Sequence, residues 1–99
     1  MSVVIKTKSF NENFLQLTAE EQKQTIKALR FLAENPRHPS LQTHKVGGTV
    51  FIEAYANMDI RVIFERTNDT IVLRAVGHHD VLIGNQSRNV SFCMQNTLN

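Results

Sequence analysis

The chain has 99 residues, 41% of them hydrophobic and 20% charged, which suits one small globular domain and excludes a two-domain, disordered or fibrous protein. A formal net charge of +2 is too small for a general polyanion binder, so any nucleic-acid role has to come from a local patch. The charge is uneven: residues 1–49 carry seven Lys or Arg against four Glu, and residues 50–99 four Arg against five acids.

The lone Cys93 excludes an intramolecular disulfide, and with four His it offers no CxxC or HExxH spacing, so neither a metal nor another cofactor is expected. A reducing, cytoplasmic setting follows. No apolar stretch is long enough to span a bilayer, and the start MSVVIKTKSF lacks the pattern of a signal peptide, so no membrane association is expected.

Along the chain, the alternation of Val3, Ile5 and Thr7 with Val4 and Lys6 predicts a first strand. Ser9 and Glu12 have capping-box spacing, and Phe10, Phe14 and Leu17 then line one face of a short helix. Thr18 and Glu21 repeat that spacing ahead of a second helix over 19–34, with Gln22, Ile26, Leu29 and Ala33 on one stripe and Phe31 and Leu32 beside it. Asn35-Pro36 ends it, because the residue before proline is pushed out of the helical region. The segment NPRHPSLQTHKVGGT, with two Pro, two Gly and no acid, reads as a basic loop carrying Arg37, His38, His44 and Lys45.

Three β-branched runs follow, 50–56, 60–66 and 70–76, joined by polar turns short enough to imply an antiparallel meander. Gly77 is expected to break the last strand, with His78-His79-Asp80 opening a helical turn. The polar tail 85–99 fits a short strand or a frayed end equally. The order β-α-α-β-β-β calls for an α+β two-layer sandwich over 1–84, a helical hairpin packed on an antiparallel sheet whose other face is open. With Ile52, Ala54 and Ala56 covered by helices, period-two alternation turns Phe51, Glu53 and Tyr55 to the open face.

Two imidazoles at a strand end, followed by a carboxylate, suit acid–base work near neutral pH; the competing reading is an exposed turn. Metal binding by His78, His79 and Asp80 is disfavoured, since adjacent residues rarely converge on one ion. Arg61 opens the third strand, where a guanidinium could clamp a phosphate with two prongs or serve merely as a strand-edge charge. Arg66 and Arg74 read as cross-strand partners of Glu65 or Asp69.

The element order, the loop HPSLQTHKVGG, the run IRVIFER and the strand end VLRAVGHHDVL together resemble the RelE/ParE superfamily of bacterial toxin–antitoxin toxins over residues 3–83. The resemblance implies either a ribosome-dependent mRNA endonuclease, as in the RelE, YoeB, HigB and YafQ types, or a ParE-like gyrase inhibitor, or a homologue that retains only antitoxin binding. It also implies a cognate antitoxin as partner, mRNA on the ribosome as substrate, and compatibility with a homodimer. Arg61 matches the phosphate-contacting arginine of the family's YRVIY motif, and His78 and Asp80 match the H-x-D of YafQ-like members, with His79 between them. His44 and Lys45 match the H-K-L-K-G approach to the following strand. Glu53 and Tyr55 stand where RelE-type members carry basic residues, and Leu82 replaces a frequent aromatic. The resemblance thus implies catalytic roles for Arg61, His78, His79, Asp80 and Glu53, and RNA contacts from His44, Lys45, Tyr55 and Arg37.

Overall fold

In a computed structural model, residues 3–78 are described, and His79, Asp80 and the tail lie outside them. The elements are β1 (Val3–Lys6), α1 (Lys8–Leu15), α2 (Ala19–Glu34), a 3₁₀ turn (Pro39–Leu41), β2 (His44–Lys45), β3 (Ile52–Tyr55), β4 (Ile60–Thr67) and β5 (Thr70–His78). The sheet order is β1-β5-β4-β3-β2. The two-layer α+β architecture and the strand–helix–helix opening are as expected.

The sheet is mixed rather than antiparallel, because β1 runs parallel to β5 while the other neighbouring pairs are antiparallel. Tight turns force β3, β4 and β5 to alternate in direction, with Asn68 taking the positive φ that the β4–β5 turn needs. No short turn joins β1 to β5, so loop length places no such constraint on that pair. The fifth strand, β2, lies inside the segment expected to be loop. It is two residues long, too short for a period-two pattern to announce it.

Helix α1 is capped by Thr7, not by Ser9. The Thr7 hydroxyl accepts the Phe10 amide at 3.2 Å and donates to the Leu73 carbonyl at 2.7 Å, so the cap also anchors the helix to β5. Asn13 holds the other end, accepting the Val76 amide. The second capping box forms as expected: Thr18 Oγ1 accepts the Glu21 amide and Glu21 Oε1 accepts the Thr18 amide. The buried stripe of α2 is Thr25, Ala28, Leu29 and Leu32, which leaves Ile26 half exposed. Small side chains at positions 25 and 28 let the helix lie close to the sheet, and this sets its rotation one position away from the Ile26 stripe.

The main core lies between helices and sheet, where Phe10, Leu29, Leu32 and Leu41 pack on Ala54, Ile60, Val62, Phe64, Ile71, Leu73 and Val76. The opposite sheet face is not open throughout. Phe51, Ile63 and Ala75 form a second buried cluster covered by Val46. The segment after β2 folds back to make that cover: Val46 donates to the Phe51 carbonyl, and Thr49 Oγ1 bridges the Val46 carbonyl and the Phe51 amide. Burial of Phe51 and Glu53 corrects the expected exposed stripe, although the register that sends them to this face is as expected.

Gly77 does not break β5, which pairs with β4 through His78. The ladder instead shifts register beside Ile63 and Phe64, which pair with Ala75 and Leu73 and leave Arg74 as the extra residue. Arg74 Nε meets Glu65 Oε2 at 2.5 Å, the cross-strand pair read from sequence.

Candidate active site on the sheet face opposite the helices

Four of the residues singled out from sequence come together on the face away from the helices. His44 is directly opposite Glu53, and Tyr55 directly opposite Arg61, because β2, β3 and β4 are consecutive in the sheet. Glu53 is 1% exposed, and its Oε1 lies 3.0 Å from His44 Nε2 and 3.9 Å from Arg61 Nε. The other ring nitrogen of His44 lies 3.3 Å from the Gln42 carbonyl, in the residue whose left-handed backbone turns the chain into β2. The imidazole is therefore oriented at both nitrogens, while its side chain stays 52% exposed. A carboxylate behind a half-exposed imidazole is an arrangement suited to proton transfer.

Arg61 is not a strand-edge charge. It is 5% exposed, its Cζ lies 3.5 Å from the centroid of the Tyr55 ring, and the ring takes the guanidinium face-on. Nη1 donates to the carbonyls of Asn57 at 2.8 Å and Met58 at 2.7 Å, with a longer contact to Ile60 at 3.4 Å. Nε has no hydrogen-bond partner among the described residues and faces Glu53. Nη2 likewise makes no hydrogen bond among the described residues. Nη1 is thus held by the turn, and Nε and Nη2 are the nitrogens left for an anion.

Glu53 Oε2 is likewise buried without a hydrogen-bond partner among the described residues. Tyr55 has one ring face occupied by Arg61 and lies edge-on to His44 at 6.4 Å, so at most one face is left for a base.

The other candidates are placed elsewhere. His78, to which the resemblance gives a catalytic role alongside Arg61 and Glu53, does not join them on this face: it pairs with Ile60 on the helix side and its Nε2 lies 3.1 Å from Glu21 Oε2. The irregularity at Arg74 is the reason: Ile71 and Leu73 face the helices, and one extra residue sends Val76 and His78, rather than Ala75 and Gly77, to that same side. Lys45 pairs with Ile52, so pleat alternation turns it away from His44. Arg37 is exposed in the loop after α2, with its amide bonded to the Asn35 side chain. His79 and Asp80 fall outside the described residues. Among the described residues no group of three His, Cys, Asp or Glu assembles to hold a metal ion.

Glu21 went unnoticed in the sequence as anything but a cap. The Thr18 amide holds its carboxyl below the ordinary glutamate value of 4.5, and His78 adds to the effect. A lowered carboxyl contributes above the ordinary range and ceases to contribute as pH falls through its own lowered value. In an NMR titration the Thr18 amide should therefore move with a midpoint below 4.5, and Glu21→Gln should abolish that movement while preserving the helix start. A midpoint at or above the ordinary value would show that the cap is not formed in solution.

No protein-family model matches the sequence, and no curated protein is similar to it. Solved structures do share the fold. YafQ from E. coli matches with a TM-score of 0.69 at 13% identity, over 85% of this chain and all of that one. The E. coli DinJ–YafQ toxin–antitoxin complex matches at 0.66 with 17% identity, over 84% and 98% of the two chains. A metal-bound toxin from Helicobacter pylori matches at 0.68 with 24% identity, over 83% and 99%. The archaeal RelE–RelB complex from Pyrococcus horikoshii matches at 0.66 with 17% identity, over 78% and 93%. The chain shares the fold of these RelE- and YafQ-type structures.

Proposed function

We propose that this chain is the toxin of a toxin–antitoxin pair and cleaves messenger RNA on the ribosome in the cytoplasm. The observation that carries the reading is the convergence of His44 and Arg61 on one oxygen of Glu53, beside Tyr55, in a RelE-type fold. Structural neighbours crystallised with their antitoxins support a protein partner of that kind. Among the described residues no helix is long and apolar enough to cross a membrane.

Cleavage by this group would join the ribose 2′-oxygen to the adjacent phosphorus and break the bond from phosphorus to the 5′-oxygen. A base takes the 2′-hydroxyl proton, an acid protonates the departing 5′-oxygen, and a cation stabilises the charge gathered on the phosphorane. The products are a 2′,3′-cyclic phosphate and a 5′-hydroxyl. His44, oriented by Glu53, performs one proton transfer and Arg61 Nη2 supports the phosphorane. The strand end performs the other transfer through His78, which must leave Glu21 to do so, with His79 and Asp80 following it in the chain. Lys45 and Arg37 add positive charge for RNA, and Tyr55 offers its remaining face to a base.

A second reading, a ParE-like inhibitor of gyrase, draws on the hold that two turn carbonyls have on Arg61 Nη1 and on the burial of the guanidinium beside Glu53. The two are separated by incubating the purified chain with translating ribosomes and, in parallel, with gyrase. The expected result is ribosome-bound message cut to fragments ending in a cyclic phosphate, with supercoiling untouched. Intact message together with inhibited supercoiling would overturn the nuclease reading and favour the gyrase one.

A further inference from the structure

The hydrogen bonds around the β3–β4 turn connect Arg61 to a helix on the far side of the sheet. Asn57 begins that turn, and its Oδ1 accepts the amides of Asp59 at 2.6 Å and Ile60 at 2.7 Å. This is an Asx turn, in which a side chain fixes the backbone two and three residues ahead. Asn57 Nδ2 donates to Gln24 Oε1 on α2. With both ends of its amide engaged, Asn57 presents its own carbonyl and that of Met58 to Arg61 Nη1. These carbonyls hold one nitrogen of the guanidinium while the Tyr55 ring supports its face.

We propose that Asn57 and Gln24 are positioning residues for Arg61: through the turn they hold Nη1 and so fix which side of the guanidinium is left to meet the scissile phosphate. The proposal rests on the nuclease reading for its kinetic part and on geometry alone for its structural part. Nη1 cannot turn to an incoming anion without giving up two short bonds to turn carbonyls. The turn holds those carbonyls in place because Gln24 tethers it to a helix that is itself packed on the sheet through Thr25, Ala28 and Leu29. Arg61 is thus aligned before substrate arrives, and alignment of this kind contributes to rate more than to affinity.

The chain contains one tyrosine and no tryptophan, so its near-ultraviolet circular dichroism and its tyrosine fluorescence report on Tyr55, the residue stacked on Arg61. Gln24→Ala removes the tether without touching the turn or the sheet, and Gln24→Glu keeps an acceptor for Asn57 Nδ2. Asn57→Ala removes both halves of the device and carries more risk to folding, so the Gln24 pair decides the matter. Gln24→Ala should change the Tyr55 signal and lower kcat on ribosome-bound message about tenfold to a hundredfold, the scale of a small misplacement, with KM little changed. Gln24→Glu should restore both.

An unchanged Tyr55 signal in Gln24→Ala would overturn the proposal, whatever the activity. So would a changed signal with undiminished kcat in an active wild-type protein. If the wild-type chain proves not to cleave ribosome-bound message, the nuclease reading fails separately, and the Tyr55 signal alone then decides whether Gln24 and Asn57 hold Arg61.

Discussion

Arg61→Ala should lower the free energy of unfolding by about 3 to 5 kcal/mol, the scale for removing one partner from a buried charged group. The side chain is 5% exposed, and its loss takes the cation from beside Glu53, which is itself buried. It also takes the hydrogen-bond donor from the Asn57 and Met58 carbonyls and the cation from the Tyr55 ring. Small domains are stable by only about 5 to 15 kcal/mol, so the variant should melt more than ~10 °C below the wild type. Loss of toxicity in Arg61→Ala therefore says little about catalysis by itself. Arg61→Lys is the informative companion. An ammonium keeps the charge near Glu53 and can reach a turn carbonyl, but it lacks the planar fork that ties one nitrogen to the turn and aims another at a phosphate in a fixed direction. Arg61→Lys should recover much of the melting temperature while remaining slower in cleavage by a factor of ~10² to 10³, the scale for losing one aligned donor in a transition state. Melting of Arg61→Ala at the wild-type temperature would show that the buried cluster contributes little to the fold.

The chemical candidates in this chain were legible to different depths, and the difference follows from what period-two and helical patterns can carry. Thr18 and Glu21 announced the α2 capping box because both partners lie within one helical turn. The facing of Glu53, Tyr55 and Arg61 was legible because β3 and β4 are joined by a short turn that pins their register. Their burial was not, since it comes from Val46 and Phe51 in a fold-back whose contacts span strands. His78 was misplaced by one residue of register: Leu73 and Val76 both face the core across an irregularity that has no glycine or proline to mark it. Asn57 looked like an ordinary turn residue, because its second partner, Gln24, lies 33 positions away in the chain. Local signals thus reached the elements and one face of the site, and long-range contacts assembled the rest.

His44→Gln should lower the cleavage rate by about 10² to 10⁴, the range for removing a general acid or base. A glutamine amide can still donate to Glu53 Oε1, which His44 Nε2 approaches at 3.0 Å, so the buried carboxylate keeps its partner and the fold should change little. What the amide cannot do is exchange a proton with the substrate. The two proton transfers are assigned to different strands, His44 on the edge strand β2 and His78 on β5, so the pH profile of kcat/KM should have two limbs in the wild type. His44→Gln should abolish one limb and His78→Gln the other, with the double variant no slower than the product of the two single losses. His78→Gln should also remove the imidazole charge that helps hold the Glu21 carboxyl low, so the midpoint of the Thr18 amide titration should rise, a change read independently of activity. If His78→Gln alters that titration yet leaves both limbs of the profile intact, His78 is a strut between β5 and α2. The second transfer then belongs to Glu53, whose Oε2 is the remaining buried acceptor beside His44 without a partner among the described residues.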